Sequence, residues 1–207
     1  MRFHTNGLTS TQLEVLKTTG EQVSRWNYYL AGGTAVSIYF GHRQSVDLDW
    51  FTTSSLSDPL HLAQMLRNEG VPFITENTDR GTLYGNIENV RLSFLEYHYG
   101  LLQPFVPWEA GNCHLASLDD LSCMKLAAVA QRGSRKDFID VFMLVQQHKP
   151  LPELLTLFQK KYQTHNITPV LLGLVYFDDA EEEQDPPLWS VGWNKVKREI
   201  SNWVRQI

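Results

Sequence analysis

Little in this chain suits covalent cross-linking or membrane anchoring. Only Cys113 and Cys123 occur in 207 residues, too few for a disulfide scaffold and suited to a reducing compartment. The apolar runs fall far short of the roughly 20 residues that a membrane helix requires, and no charged-then-apolar leader opens the sequence. A soluble, cytoplasmic protein with no membrane partner is expected. No His/Cys cluster with zinc spacing appears, nor any internal repeat or low-complexity linker. Positive charge is also in deficit: 18 Lys and Arg stand against 23 Asp and Glu, a formal net charge of -5. That balance argues against sequence-independent coating of nucleic acid, which depends on cations that release counterions from phosphates.

The material for a core is plentiful. The chain is 43% hydrophobic, with six Trp, eight Tyr and ten Phe, enough for one globular unit or for two small subdomains sharing a cleft. Charge is segregated along it. Basic residues gather at His42-Arg43, Arg132 to Lys136 and Lys195 to Arg198, whereas the stretch Asp178 to Asp185 carries six of the 23 acids. A local basic cleft can therefore still take a nucleoside triphosphate or the end of a tRNA.

The most informative segment is Leu30-Ala31-Gly32-Gly33-Thr34-Ala35, followed by His42-Arg43-Gln44-Ser45-Val46-Asp47-Leu48-Asp49-Trp50-Phe51. In an extended strand alternate side chains share a face, so Asp47 and Asp49 project together while Val46, Leu48 and Trp50 face apolar packing. Two adjacent carboxylates repel each other and favour a hard divalent cation, magnesium or manganese, which keeps other positions for water and phosphate. Gly32 and Gly33 precede an expected helix from Thr34 to Phe40. They permit close backbone approach, and a helix N-terminus offers amide hydrogens to an anion. Phosphate at the Gly-Gly turn and metal at the Asp pair would belong to one bound nucleotide. A Gly-Gly turn can also be only a turn. Ser45 shares the parity of the two Asp and can join the site, as can Thr34. Arg43 can neutralise phosphate or hold Asp49 by a salt bridge, and His42 reads as a surface loop histidine in preference to a metal ligand.

This order of motifs resembles the signature of the DNA polymerase beta-like nucleotidyltransferase superfamily, in which Gly-Gly or Gly-Ser precedes an Asp-x-Asp strand. The thirteen residues from Thr34 to Val46 lie at the long end of that pattern. A second block, Ser117 to Phe142, is similar to a region of the AbiEii/AbiGii-type toxin family, and by that likeness Lys125, Arg132 and Asp137 match its functional positions. Leu174 to Glu181 resembles a segment frequent near the C-terminus of such proteins, so the likeness runs from about Tyr28 to the end.

The residues of the second block also carry a reading of their own. Leu121, Lys125, Ala128 and Arg132, spaced by four, three and four, form one stripe of a helix starting near Ser117. Gly133 stops that helix, and Ser134 caps the next, with Asp137 three positions on and Asp140 nearby. Lys125 and Arg132 can be aimed at a triphosphate. Alternatively, Asp137 serves only in the cap, the Lys125 head snorkels to water, and Arg132 opposes a helix dipole. A third carboxylate, common in the superfamily, has Glu96 as its candidate; failing that, Asp137 or a substrate hydroxyl must serve.

The expected architecture is α+β. A mixed-sheet nucleotidyltransferase domain flanked by helices occupies residues 1–100, and a mainly helical domain, residues 101–207, closes the nucleotide cleft. Helices are expected at Ser10 to Arg25, Pro59 to Asn68 and near 117–132, 135–148, 151–163, 168–176 and 192–205. Strands are expected at Tyr28, Val71 to Glu76, Gly81 to Ile87 and Val90 to Tyr97. The resemblance implies transfer of a nucleoside monophosphate from a nucleoside triphosphate to an acceptor hydroxyl of tRNA or protein, with magnesium held by Asp47 and Asp49. It also implies a toxin restrained by a separate antitoxin protein. An antibiotic nucleotidyltransferase, or a non-catalytic module that binds nucleotide or a partner, are the alternatives.

Overall fold

A computed structural model describes residues 2–207. The chain forms two compact units, one of residues up to 41 with 45–100 and 104–116, the other of 42–44, 101–103 and 117–207.

The first unit is built on a seven-stranded mixed sheet in the order β3-β4-β5-β2-β1-β7-β6. Helix α1, Ser10–Arg25, opens it with a capping box in which Thr9 and Gln12 each satisfy the other's backbone amide, as that pairing does at helix starts generally. Strand β1 (Tyr29–Leu30) leads through Ala31 into α2 (Gly32–Phe40), and β2 (Asp47–Thr52) follows. Helix α3 (Pro59–Asn68) starts at the Asp58 cap with proline in its first turn, where a missing N–H costs nothing. Strands β3 (Ile74–Asp79), β4 (Thr82–Ile87) and β5 (Val90–Glu96) form an antiparallel meander. Strand β5 then lies parallel to β2. Two short strands, β6 (Val106–Trp108) and β7 (Cys113–Leu115), complete the far edge, β7 running parallel to β1.

Along β2 burial alternates strictly, with Leu48, Trp50 and Thr52 inward and Asp47, Asp49 and Phe51 only partly covered, the expected period of two. Trp50, Phe94 and Leu83 lose all access to solvent. Phe94 meets Tyr28 and Phe73 edge-on, with ring centroids 5.5 and 5.8 Å apart.

The second unit is helical: α4 (Leu118–Gln131), α5 (Arg135–Gln147), α6 (Leu151–Tyr162), α7 (Thr168–Val175), the short α8 (Asp178–Glu181) and α9 (Trp193–Val204). Helix α4 packs against α5, α6 and α7, and α9 against α5 and α7. Because α4 is surrounded, its polar residues are buried too. Asp120 accepts hydrogen bonds from Leu102 N at 2.9 Å, Ser117 Oγ at 2.6 Å and Lys161 Nζ at 2.7 Å. Nearby, Asp119 receives His148 and Lys149. No helix among the described residues is long and apolar enough to cross a membrane.

Candidate active site

In the sheet unit, Asp47 and Asp49 occupy one face of β2. The Ala31 amide donates to the Asp49 carbonyl at 3.0 Å, so the Gly-Gly turn is tied directly to the acidic strand. Gly32 has φ +64°, and a Cβ built on it would lie 2.6 Å from Asp49 Oδ2. Only glycine gives both that left-handed backbone and room for the carboxylate. No side chain caps the N-terminus of α2, and a helix start of this kind can receive an anion. Thr34 and Ser45, both buried, touch through their hydroxyls at 2.8 Å, and the Thr34 hydroxyl also meets the Asp47 carbonyl. These two residues brace the start of β2 against α2.

Asp47 Oδ1 is buried and receives no hydrogen bond. Arg91 Nε lies 3.0 Å from it as an ion pair, without hydrogen-bond alignment. A buried carboxylate oxygen with no donor is a poor resting state for a carboxylate and a good one for a hard-cation ligand, so the residues present fit a divalent ion. They would supply carboxylate oxygens to such an ion, with phosphate and water completing its shell. Among the described residues no group of three or more His, Cys, Asp or Glu stands together as a metal cluster.

Glu96 does not supply a third carboxylate here. The parallel register sets Arg91 beside Asp47, Ser93 beside Asp49 and Glu96 beside Thr52, which turns Glu96 to the opposite face. There its Oε2 accepts from Leu56 N at 2.9 Å, holding the turn before α3.

The helical unit carries the second set of residues. Lys125 on α4 reaches Asp137 Oδ1 at 3.0 Å and Asp140 Oδ2 at 2.7 Å. Its ammonium is buried and does not snorkel to water. Arg132 grips Asp137 with two bonds, 2.7 and 3.0 Å, while Arg43 forms the same planar fork with Asp140 at 2.7 and 2.8 Å, the strong bidentate form of this pair. His42 Nε2 adds a bond of 2.9 Å to Asp140 Oδ1. Thus His42 is a buried histidine and not a surface one, and Arg43 is matched to Asp140. Asp137 is both cap partner and ion-pair partner, since Ser134 Oγ receives the Asp137 amide and donates to Asp137 Oδ2 at 2.8 Å.

Charge in this cluster is nearly balanced. Burial alone would raise the Asp137 pKa, but Lys125 and Arg132 outweigh it and hold the carboxyl down at about 2. Burial likewise opposes ionisation of Asp140, and Arg43 and Lys125 overcome it, leaving its pKa well below the ordinary range. Burial lowers the His42 pKa against the opposing pull of Asp140. A neutral His42 then carries its hydrogen on Nε2, facing the ionised Asp140. Three cations meet two carboxylates, and the surplus positive charge emerges at Arg132, whose side chain is 67% exposed. Arg132 also borders a groove of about 550 Å³ with Leu172, Val175, Tyr176 and Asp179.

Comparison with known proteins decides the family. The family description "Nucleotidyl transferase AbiEii toxin, Type IV TA system" matches residues 90–202, more than half of the chain. The chain belongs to the AbiEii nucleotidyltransferase toxin family. A relative of this AbiEii chain, the uncharacterised protein aq_aa25 of Aquifex aeolicus, is 35% identical over 184 residues, covering 86% of the chain and 88% of the relative. The fold is similar to MenT4, a nucleotidyltransferase toxin of Mycobacterium tuberculosis, with TM-score 0.58 and 14% identity over 95% of this chain and 82% of that one. JHP933 of Helicobacter pylori gives 0.55 and 15% over 96% and 92%. The antibiotic-resistance factor ANT(2'')-Ia gives 0.56 and 11% over 75% and 94%. Both the AbiEii assignment and these folds agree with the mixed sheet expected from the sequence. The family match begins at residue 90, beyond the Gly-Gly turn and Asp47-x-Asp49.

Proposed function

We propose that this nucleotidyltransferase moves a nucleoside monophosphate from a nucleoside triphosphate to an acceptor hydroxyl, releases pyrophosphate, and acts as the toxin of a toxin-antitoxin pair. Its acceptor is a tRNA or a protein, and a cognate antitoxin protein is its regulatory partner. One observation carries this reading: Asp47 and Asp49 share a strand face against Gly32 and the uncapped start of α2.

Asp47 and Asp49 would hold magnesium or manganese, which when bound supplies Lewis-acid stabilisation of charge on the reacting phosphoryl group. The backbone around Gly32 and Gly33 receives a phosphate oxygen, and Thr34 and Ser45 keep that backbone in place. Arg132 is the exposed cation of the helical cluster and is suited to phosphate oxygens. Lys125 and Asp137 position it: Lys125 fixes the Asp137 carboxylate, which fixes the guanidinium. A carboxylate with a pKa near 2 that already accepts from Lys125, Arg132 and Ser134 is a weak proton acceptor, so its contribution is orientation. Positioning and charge stabilisation dominate phosphoryl-group chemistry, and this chain offers both.

The test incubates the protein with magnesium, each α-labelled nucleoside triphosphate and, in separate arms, total cellular RNA, a protein lysate and an aminoglycoside. Label on RNA or protein that disappears with Asp47→Ala/Asp49→Ala is expected. Label only on the aminoglycoside would overturn the toxin reading, and label on none of the three would overturn transferase activity.

A further inference from the structure

Arg91 lies in the sheet unit beside the acidic pair, outside both the Gly-Gly turn and the Asp47-x-Asp49 motif. The parallel register of β2 and β5 sets it directly across from Asp47, at the roughly 4.8 Å spacing of neighbouring strands. Its Nε stands 3.0 Å from Asp47 Oδ1, the same oxygen that is buried and receives no hydrogen bond. The guanidinium therefore occupies the neighbourhood in which a metal ligand oxygen would otherwise face an ion. The side chains are 69% and 41% exposed, and pairs of that kind are weak, so little holds Arg91 there against a divalent cation.

We propose that Arg91 is an exchangeable counter-ion that pairs with Asp47 while the acidic site is empty and turns to the phosphates of the triphosphate once a divalent cation is bound. The inference rests on reading Asp47 and Asp49 as the metal ligands. A cation on both carboxylates cancels the attraction that keeps Arg91 in place and adds repulsion. The released guanidinium, on the same strand face and with five donors in a planar fork, is suited to phosphate oxygens. Binding of metal and of triphosphate would thereby be coupled through one residue. Arg91 would resist metal alone and favour metal accompanied by polyphosphate.

Removing it therefore has effects of opposite sign on two ligands. Isothermal titration of the full-length protein with Mn2+ alone, then with inorganic triphosphate at saturating Mn2+, reads both for wild type, Arg91→Gln, Arg91→Lys and Asp47→Asn/Asp49→Asn. Arg91→Gln should bind Mn2+ about two- to fivefold more tightly, the range an exposed ion pair allows, and triphosphate more weakly, while Arg91→Lys keeps the wild-type order. Circular dichroism verifies folding of each variant. If Arg91→Gln binds Mn2+ no more tightly than wild type, or triphosphate equally well, the proposal is overturned while the metal assignment stands. If wild type binds Mn2+ no better than Asp47→Asn/Asp49→Asn, the metal assignment itself fails and takes the proposal with it.

Discussion

Lys125 lies within α4 and Arg132 caps its end on the same stripe, yet their side chains answer to different physics. Lys125 is buried between two carboxylates, and deleting one partner of such a cluster leaves an uncompensated charge in a low-dielectric interior. Lys125→Ala should therefore cost about 3 to 5 kcal/mol in urea unfolding; a loss below about 1 kcal/mol would mean the cluster is not holding α4 to α5. Arg132 is 67% exposed, and Arg132→Gln should cost less than about 1 kcal/mol while slowing transfer by about a hundredfold. Unchanged transfer would remove Arg132 from the phosphate-binding role. Acid stability probes the same residues. Asp137 ionises near 2 in the fold, below its ordinary 3.8, so between those values the unfolded chain binds more protons. Its contribution, on the order of 2 kcal/mol, is whole above pH 4 and vanishes as the pH falls through 2. Urea midpoints measured from pH 5 to pH 2 should fall less steeply for Asp137→Asn than for wild type.

At the scale of elements, the Gly-Gly turn constrains the acidic strand directly. Gly32→Ala must place a side chain at φ +64° against the Asp49 carboxylate. It should cost more than about 1 kcal/mol and abolish transfer, as thermal unfolding and the labelled-nucleotide assay would report. Wild-type activity in this variant would mean that the turn has slack. Much of this layer was legible in the sequence. Both α1 and α3 form with the expected bounds, but the capping box of α1 is Thr9 with Gln12, two residues before the Thr11-x-x-Glu14 pattern that marked it in the sequence. Strand β3 begins later than Val71, at Ile74, and runs through Asn77 to Asp79, because the turn closes on Gly81 and the strand tolerates exposed polar residues. Strands β6 and β7 were not legible. Each has three residues, one carries Pro107, and although they pair with each other, β7 joins the sheet only through β1, which is distant in sequence. The same reason hid Arg91: only the register of β5 against β2 places it beside Asp47, and register is a tertiary property.

For the whole molecule, the chain forms two compact units, and the segments 42–44 and 101–103 belong with the second, helical one. These segments explain what local reading could not assign. Arg43 and His42 sit next to the acidic strand in sequence, but their partner is Asp140, 97 and 98 residues away. In the second segment, the amides of Leu102 and Gln103 donate to Asp120. The stripe of Lys125 and Arg132 was legible because helical spacing is local; that Lys125 is consumed by Asp137 and Asp140 depended on the packing of α4 against α5. The account as a whole stands on catalysis at the acidic pair. The measurement that tests it most directly is the rate of pyrophosphate release from a nucleoside triphosphate by wild type and by Asp49→Asn, with folding verified by circular dichroism. The account predicts metal-dependent release that falls by at least about a thousandfold in the variant; release at the wild-type rate from folded Asp49→Asn would contradict it.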